Sequence, residues 1–243
     1  MFDSLNFQER LSIDSEPLRF GQVHLWWISL EITEQQEQEF RAVLSDQQEQ
    51  KMNRLQNAQR RRHYIAGRGY LYQLLSHYCS PDQVIALQFN KHGKPSLINN
   101  EGNVRFNFTD TCGYGLFAFS LGDEIGVDVE NCQRKGNFER IVQRRFSPEE
   151  QYLSHASMEQ FLCCWTRKEA YGKATGTGLN YPLREHVMCA DLSQPEFMLE
   201  DQQWYGQQFA IHCVNQKQDK FIACLVSQSN KAKELVPFHL NEA

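Results

Sequence analysis

The chain has 243 residues, of which 41% are hydrophobic, and its formal net charge at pH 7 is -5. This length suits one or two compact domains, and the hydrophobic fraction excludes wholesale disorder. The negative charge argues against general nucleic-acid binding through a basic surface. The chain also contains no run of about 18 apolar residues that could span a bilayer. We therefore expect a folded protein that binds neither nucleic acid nor membrane.

The eight cysteines do not form the pattern of a disulfide framework. Cys163 and Cys164 are adjacent, and no Cys-x-x-Cys pair is present, which argues against a structural zinc site. Residues 1–5 lack the basic start and the apolar run of a secretory signal peptide. We therefore predict reduced thiols in a cytoplasmic protein.

The first half of the chain contains strand and helix patterns in a clear order. A run rich in β-branched and aromatic residues predicts a strand at 23–30. A Gln- and Glu-rich helical region follows at 33–57, and apolar residues at helical spacing predict a second helix at 59–78. Further strands are predicted at 84–89, 104–108 and 114–121.

The second half repeats this order of elements. A strand is predicted at 124–130, and Ser147 with Glu150 forms a capping box that opens a helix. A long helix is predicted at 159–175, with Gly176 and Gly178 after its last turn. The remaining predicted strands lie at 186–191, 209–214 and 221–226.

This repetition has a period of roughly 100 residues, which indicates a weak internal duplication. It predicts an α+β fold of two pseudo-symmetric α/β halves, 1–122 and 123–243, each a small, mainly antiparallel sheet packed with a long helix. Halves that pack face to face commonly form a binding cleft between them. Since both halves belong to one chain, we expect a monomer.

The sequence GVDVE at 126–130 is the most informative segment. Side chains alternate across a strand, so Asp128 and Glu130 share one face while Val127 and Val129 pack on the other. Two neighbouring carboxylates repel unless a cation lies between them. Mg²⁺ is commonly held by one or two carboxylates together with phosphate and water. The alternative is a pair of solvated acids on the exposed face of a strand.

A second motif, WTRKEAYGKATGTG, occupies residues 165–178 in the predicted long helix. Trp165, Glu169 and Lys173 fall on one helical face because they are spaced by four residues. Glu169 could supply a third carboxylate to a metal site, and Lys173 could neutralise a phosphate or a leaving group. The alternative is an ordinary Glu–Lys pair on a helix surface.

Further candidates for phosphate binding lie in the first half. The turn KHGKP at 91–95 places Lys94 at a fixed point, and FNFTDT at 106–111 carries hydroxyl groups that could bind phosphate oxygens. A basic cluster at 60–63, with cations nearby in sequence, could also bind phosphates. The alternative for this cluster is a solvated helix face. The nearby cations are Lys51, Arg54 and Arg68.

In combination and order, these motifs resemble those of the Sfp-type 4′-phosphopantetheinyl transferases. That family has a Gly-x-Asp-x-Glu strand and a Trp-x-x-Lys-Glu-Ala-x-x-Lys-x-x-Gly-x-Gly helix, and the resemblance runs from about residue 23 to about residue 226. It implies an enzyme that transfers the 4′-phosphopantetheine group of coenzyme A to a serine of an acyl or peptidyl carrier protein domain. The product besides the holo-carrier is 3′,5′-ADP, and the implied cofactor is Mg²⁺.

The resemblance also implies roles for individual positions. Asp128, Glu130 and Glu169 match the metal ligands, and Glu169 matches the proposed general base. Lys173 matches a lysine at the pyrophosphate, so the implied catalytic residues are Asp128, Glu169 and Lys173. The nucleotide side of coenzyme A falls to the N-terminal half and the metal to the C-terminal half. The implied coenzyme A contacts are Lys51, Arg62, His63, Lys94, Thr109 and Lys173.

One position departs from the family pattern. The family usually reads Phe-Asn-x-Ser-His-Ser where this chain has FNFTDT, so Asp110 replaces a potentially cationic histidine. At close range an anion repels phosphate. Asp110 therefore points away, or pairs with another cation such as Arg62, or weakens coenzyme A binding. The sequence leaves these three alternatives open.

Basic residues that follow the GVDVE segment are candidates for docking an acidic carrier, and the alternative is a solvated basic loop and helix. They are Arg134, Lys135, Arg140, Arg144 and Arg145. The main rival function is a non-catalytic homologue that holds coenzyme A or a carrier without transfer. A metal-dependent phosphohydrolase and a structural interaction module are two further rival functions.

Overall fold

The computed structural model describes residues 4–178, 181–212 and 220–240. The helices are α1 (Glu34–Ala42), α2 (Asp46–Asn53), α3 (Ala58–Tyr78), α4 (Phe138–Arg145), α5 (Pro148–Ser154) and α6 (Met158–Thr175). The first strands are β1 (Gln8–Arg10), β2 (Gln22–Ser29), β3 (Leu87–Phe89), β4 (Pro95–Leu97), β5 (Val104–Thr111) and β6 (Tyr114–Leu121). The later strands are β7 (Ile125–Asn131), β8 (Glu196–Leu199), β9 (Gln202–His212), β10 (Lys220–Ser227) and β11 (Glu234–Leu240). These elements confirm the predicted α+β class.

The first sheet has the strand order β1-β11-β2-β6-β5. Strand β11 runs parallel to both β1 and β2, while the other pairs are antiparallel. Side chains alternate along β2, so Trp26 enters the core beneath α3 and Trp27 enters the core between the two sheets. The Trp26 ring stacks on Phe238 of β11, with ring centroids 4.7 Å apart.

The second sheet has the order β7-β10-β9-β8 and is antiparallel throughout. Its inner face packs on the first sheet through residues such as Val127 and Val129. Its outer face packs on α6, while α3 covers the outer face of the first sheet. The fold is therefore built in four layers: α3, the first sheet, the second sheet and α6. A two-stranded β3–β4 hairpin stands apart from both sheets.

Several predicted elements differ from the observed ones, and the strand predicted at 84–89 spans only Leu87–Phe89. The single helical region predicted at 33–57 is two helices, because Thr33 and Ser45 each open a helix with a capping box of its own. The strand predicted at 186–191 is wrong. The backbone N–H groups of Met188 and Cys189 donate to the buried carboxylate of Glu150, at 2.7 and 3.1 Å, rather than to a neighbouring strand. The last two residues of the strand predicted at 209–214 lie outside the described residues.

The predicted division at residue 122 falls in the loop between β6 and β7 and stays a prediction. The two sheets do not divide strictly at this residue. Strand β11 belongs to 123–243 but lies in the first sheet, between β1 and β2. The cysteines of the described residues are free thiols. Among the helices described, none combines the length and the apolar composition that crossing a bilayer requires.

Candidate functional site

The site begins where helix α6 packs directly on strand β7. A Cβ atom at Gly126 would lie only 2.0 Å from the carbonyl oxygen of Ala170, so any larger residue would push the helix away. This close approach turns one face of β7 toward α6. Asp128 and Glu130 lie on that face, because Val127 and Val129 alternate with them and pack between the sheets.

Asp128 is 6% exposed and lies at the centre of the site. Its Oδ1 atom accepts hydrogen bonds from Lys173 Nζ of α6, at 2.7 Å, and from Thr109 Oγ1 of β5, at 3.2 Å. Its buried Oδ2 atom has no hydrogen-bond partner among the described residues. The fold therefore brings three predicted site residues together from three different elements.

Glu130 is held by two donors. Its Oε1 atom accepts a hydrogen bond from Trp165 Nε1, at 3.0 Å, and forms an ion pair with Arg134. Burial raises the pKa of the Glu130 carboxyl, and the negative charge of Asp128 raises it further. Arg134 was expected from the sequence to lie on a docking surface. No local pattern indicated this pair, because a spacing of four residues brings side chains together on a helix and Glu130 lies on strand β7.

Glu169 is the third acid of the cluster. Its buried Oε1 atom has no hydrogen-bond partner among the described residues. Burial raises the pKa of Glu169 to about 7, and repulsion from Asp128 adds to the effect while Lys173 opposes it. A carboxyl group with this pKa can take up a proton near neutral pH.

A divalent cation fits this cluster in two respects. Asp128 and Glu169 each keep a buried oxygen atom without a partner among the described residues, and carboxylate oxygens are the ligands that Mg²⁺ prefers. Within the described residues, however, no group of three or more His, Cys, Asp or Glu side chains is spaced to hold a metal ion. In this structure Lys173 and Arg134 bind Asp128 and Glu130 and balance their charge.

A cleft of about 790 Å³ opens beside the acids. Its walls come from α2, α3, β5, the β3–β4 hairpin and the C-terminal end of α6. Thr109 and Lys173, which both contact Asp128, line this cleft. Basic residues dominate the charged lining: Lys51, Arg54, Arg68, Lys91, Lys94 and Lys173. The cleft is thus suited to a multiply charged anion.

The β3–β4 hairpin docks on the end of α6 and fixes one wall of the cleft. Asn90 Nδ2 donates to the carbonyl of Gly176 at 2.8 Å, and Lys94 Nζ donates to the carbonyl of Ala174 and to Glu124. Gly176 has a φ of +70°, and a Cβ atom there would lie 2.5 Å from Asn90 Nδ2. The glycine therefore serves both as the helix C-cap and as the contact surface for the hairpin.

The far end of the cleft holds cations supported by aromatic rings. The Arg68 guanidinium lies 4.9 Å from the Tyr64 ring centroid and 4.6 Å from that of Phe108. Lys51 Nζ lies 5.9 Å from the Tyr64 ring. Asp110 also lines this end. Because Asp110 belongs to the cleft lining, it does not point away from the cleft. Burial lowers the pKa of Lys51, and the negative charge of Asp110 opposes this shift.

Two predicted contacts lie elsewhere. Arg62 Nε pairs with Glu37 at 3.0 Å, and His63 Nε2 pairs with Glu31 at 2.8 Å. Neither Arg62 nor His63 belongs to the cleft lining found in the described part of the chain. Arg62 is therefore not brought to Asp110, and the cation that Asp110 influences is Lys51.

Asn107 has a role that no sequence pattern indicated. Its side-chain Oδ1 accepts a hydrogen bond from the backbone N–H of Val127, at 3.0 Å. Because β5 and β7 belong to different sheets, this bond and the Thr109–Asp128 bond join the sheets at the site. Asn107 thus fixes the position of β7 relative to the cleft.

Comparisons with protein families and with known proteins both identify 4′-phosphopantetheinyl transferases as similar to this chain. The family model of the 4′-phosphopantetheinyl transferase superfamily matches residues 124–227. The 4′-phosphopantetheinyl transferase HetI of Nostoc sp. is 34% identical over 167 residues, which cover 65% of this chain and 70% of that protein. The 4′-phosphopantetheinyl transferase gsp of Aneurinibacillus migulanus is 27% identical over 122 residues, 48% of this chain and 47% of that protein.

Proposed function

This chain belongs to the 4′-phosphopantetheinyl transferase superfamily, and we propose that it transfers the phosphopantetheine arm of coenzyme A to a serine of an apo acyl or peptidyl carrier protein. One observation carries the proposal at the level of the site. Asp128 binds Thr109 and Lys173, which line a basic cleft, and both Asp128 and Glu169 keep a buried oxygen without a partner among the described residues. Buried acids with a structural role normally have hydrogen-bond partners for their oxygen atoms, so this arrangement indicates a reactive site.

The cleft supports coenzyme A as the substrate. Coenzyme A carries a pyrophosphate and a ribose phosphate, and a lining of six basic side chains offsets such charge. The volume of about 790 Å³ lies within the range of sites that enclose ligands of this class. Lys94 and Lys173 stand on the side of the cleft nearest α6, where the pyrophosphate would meet the acids.

Asp128, Glu130 and Glu169 would hold the Mg²⁺ ion that the family implies. When bound, the ion would neutralise the pyrophosphate and stabilise the charge that develops during transfer. Lys173 and Arg134 hold the charge of two of these acids in the structure. Lys173 also lines the cleft, so its ammonium group can turn toward a phosphate oxygen.

The residues of the chain suit an in-line displacement. Glu169, with a pKa of about 7, takes the proton from the serine hydroxyl of the carrier. The serine oxygen then forms a bond to the β-phosphorus of the pyrophosphate, and the bond from that phosphorus to the bridging oxygen breaks. 3′,5′-ADP departs with the bridging oxygen, whose negative charge Lys173 stabilises. Positioning and charge account for most of the acceleration.

The carrier would dock beside this end of the cleft. Lys135, Arg140 and Arg144 are exposed on α4 and the loop before it, directly after β7. Carriers of this kind are acidic by the family resemblance, so this surface would attract them. The two sheets pack together within one chain, which supports a monomer. Free thiols among the described residues suit a cytoplasmic location.

The test is a mass measurement on the acceptor. The purified chain is mixed with coenzyme A, Mg²⁺ and a panel of apo-carriers, and each carrier is weighed. We expect one carrier to gain a single phosphopantetheine group, while its serine-to-alanine variant gains none. Addition of a chelator in excess of Mg²⁺ should stop the reaction.

Different outcomes separate the rival functions. Binding of coenzyme A or carrier without any mass gain would support the non-catalytic homologue. Release of phosphate from coenzyme A without a carrier would support a phosphohydrolase. Absence of coenzyme A binding would contradict the proposed function altogether.

A further inference from the structure

The inference concerns Asp110 and rests on the function proposed above. We propose that Asp110 is a specificity residue that reduces the preference of this chain for coenzyme A over dephospho-coenzyme A. It does so by placing a fixed negative charge in the cation cluster that would bind the ribose 3′-phosphate. The cluster consists of Lys51, Arg54 and Arg68 at the far end of the cleft.

Strand β5 divides the cleft into two chemical regions. Thr109 is buried and faces β7, where its hydroxyl donates to Asp128. Phe108 and Asp110 point to the opposite face because side chains alternate along a strand. The Phe108 ring contacts Arg68 of α3 on that face, and Asp110 interacts with Lys51 of α2. Thr109 therefore contacts the acid Asp128, while its neighbours Phe108 and Asp110 face the cation cluster.

The cation cluster is built for an anion. Arg68 is held between two aromatic rings, which fixes its guanidinium before any ligand arrives. Its buried Nε atom has no hydrogen-bond partner among the described residues. Burial lowers the pKa of Lys51, and the nearby positive charge of Arg68 lowers it further. Two cations held this close gain from a negative group between them.

The chemistry of coenzyme A identifies which group reaches this cluster. The molecule has two phosphate-bearing positions, the pyrophosphate and the 3′ position of the ribose. The transfer reaction requires the pyrophosphate at Asp128, Glu169 and Lys173, on the face of β5 that carries Thr109. The phosphate left for the opposite face is therefore the one on the ribose.

Asp110 already supplies negative charge at this position. It is exposed within the cleft lining, so its carboxylate and an incoming phosphate share the same cations. Two anions at close range repel each other, and the repulsion falls on the ligand that carries the extra phosphate. Dephospho-coenzyme A lacks that phosphate and escapes the repulsion. Asp110 thus narrows the difference in affinity between the two ligands.

A binding experiment with two ligands and matched variants isolates this effect. Kd is measured by titration calorimetry for coenzyme A and for dephospho-coenzyme A, with Mg²⁺ and without a carrier. The proteins are the wild type, Asp110→Asn, Asp110→Ser and the control Asp82→Asn, which removes an exposed acid outside the cleft. We expect both Asp110 variants to bind coenzyme A about fivefold more tightly. Their Kd for dephospho-coenzyme A should equal that of the wild type, as should both values for the control.

The outcomes distinguish this proposal from the function on which it rests. If the Asp110 variants bind both ligands equally more tightly, or bind neither differently from the wild type, the proposed role of Asp110 is overturned. Binding of coenzyme A by the wild type would still support the transferase function. No binding of coenzyme A by the wild type would overturn both. The expected gain should shrink as salt is raised, because it is electrostatic in origin.

Discussion

Two sides of helix α6 carry charged residues that are satisfied to very different degrees. Toward the segment after the helix, Lys168 is fully buried and its Nζ binds Glu150 at 2.7 Å and the carbonyl of Leu183 at 2.6 Å. Toward β7, Asp128 and Glu169 each keep a buried oxygen without a partner in the described part of the chain. Lys168, on the first side, and Glu169, on the second, are consecutive residues of the helix.

The difference separates structural charges from reactive ones within a single motif. Glu150 accepts from Lys168, from its own capping-box partner Ser147 and from two backbone N–H groups, so its carboxylate is fully used. A buried ion pair whose hydrogen bonds are all used has a structural role and takes no part in a reaction. The unsatisfied acids destabilise the fold, and a ligand that supplies positive charge would relieve this cost.

The largest expected effect is on transfer activity. Asp128→Ala and Glu169→Ala should each lower kcat by a factor of about 100 to 10,000, because each removes a carboxylate from the reacting centre. The measurement is the rate of mass gain by an apo-carrier. Glu101→Ala, which removes an exposed acid in a distant turn, is the control. Near-normal turnover by either variant would contradict the assigned role of that acid.

The next effect is on stability and tests the other side of the helix. Lys168→Met should lower the free energy of unfolding by about 3–5 kcal/mol, because it leaves the buried carboxylate of Glu150 without its counter-ion. Urea unfolding followed by tryptophan fluorescence measures the change. Glu159→Gln is the matched control on the same helix, because it breaks only the exposed ion pair with Lys220 and should cost less than about 1 kcal/mol. A Lys168→Met variant as stable as the wild type would contradict the comparison.

A third prediction concerns pH and the cost of the unsatisfied acid. Glu169 has a pKa of about 7 in the fold and a reference value of 4.5, so the folded chain holds its proton to higher pH than the unfolded chain. Stability therefore falls as pH rises through this window, and the loss persists above pH 7. In metal-free buffer at pH 8, Glu169→Gln should raise the free energy of unfolding by roughly 1–3 kcal/mol.

The pH dependence of that gain is the decisive part of the measurement. Thermal unfolding of both proteins at pH 4 and pH 8 should show the difference only at the higher pH, since the carboxyl is neutral at the lower one. A Glu169→Gln variant that is less stable than the wild type at pH 8 would mean that the carboxylate is satisfied in the fold.

The smallest expected effect concerns the ion pair between Arg134 and Glu130. Because Arg134 competes with a metal for the Glu130 carboxylate, Arg134→Gln should tighten Mn²⁺ binding to the free protein severalfold. Titration calorimetry without coenzyme A measures the affinity. Lys135→Gln removes the adjacent exposed cation and should leave it unchanged. Weaker Mn²⁺ binding by Arg134→Gln would indicate that the arginine orients Glu130 for the metal.

The elements with strong local patterns could be predicted from the sequence. The strand at Tyr114–Leu121 was predicted with its observed bounds, and the helix predicted at 159–175 is α6 with one residue more. Strand β11 was not predicted, because it contains Pro237 and owes its place to pairing with a strand some 200 residues earlier.

The placement of candidate site residues could be predicted where they share an element, and less well where contacts cross elements. The alternation of β7 placed Asp128 and Glu130 on one face, and helical spacing placed Glu169 and Lys173 together. The pairing of Lys173 with Asp128 rather than Glu169 depends on how α6 packs on β7. Likewise, no local pattern shows that Arg62 pairs with Glu37 instead of lining the cleft.

The position of β11 between β1 and β2 has a consequence for synthesis of the chain. Strand β2 leaves the ribosome about 200 residues before β11, a delay of roughly ten to forty seconds at usual translation speeds. Throughout that interval one edge of β2 offers unpaired backbone groups beside two tryptophans. Such an edge invites pairing with other nascent chains until β11 has been synthesised and covers it.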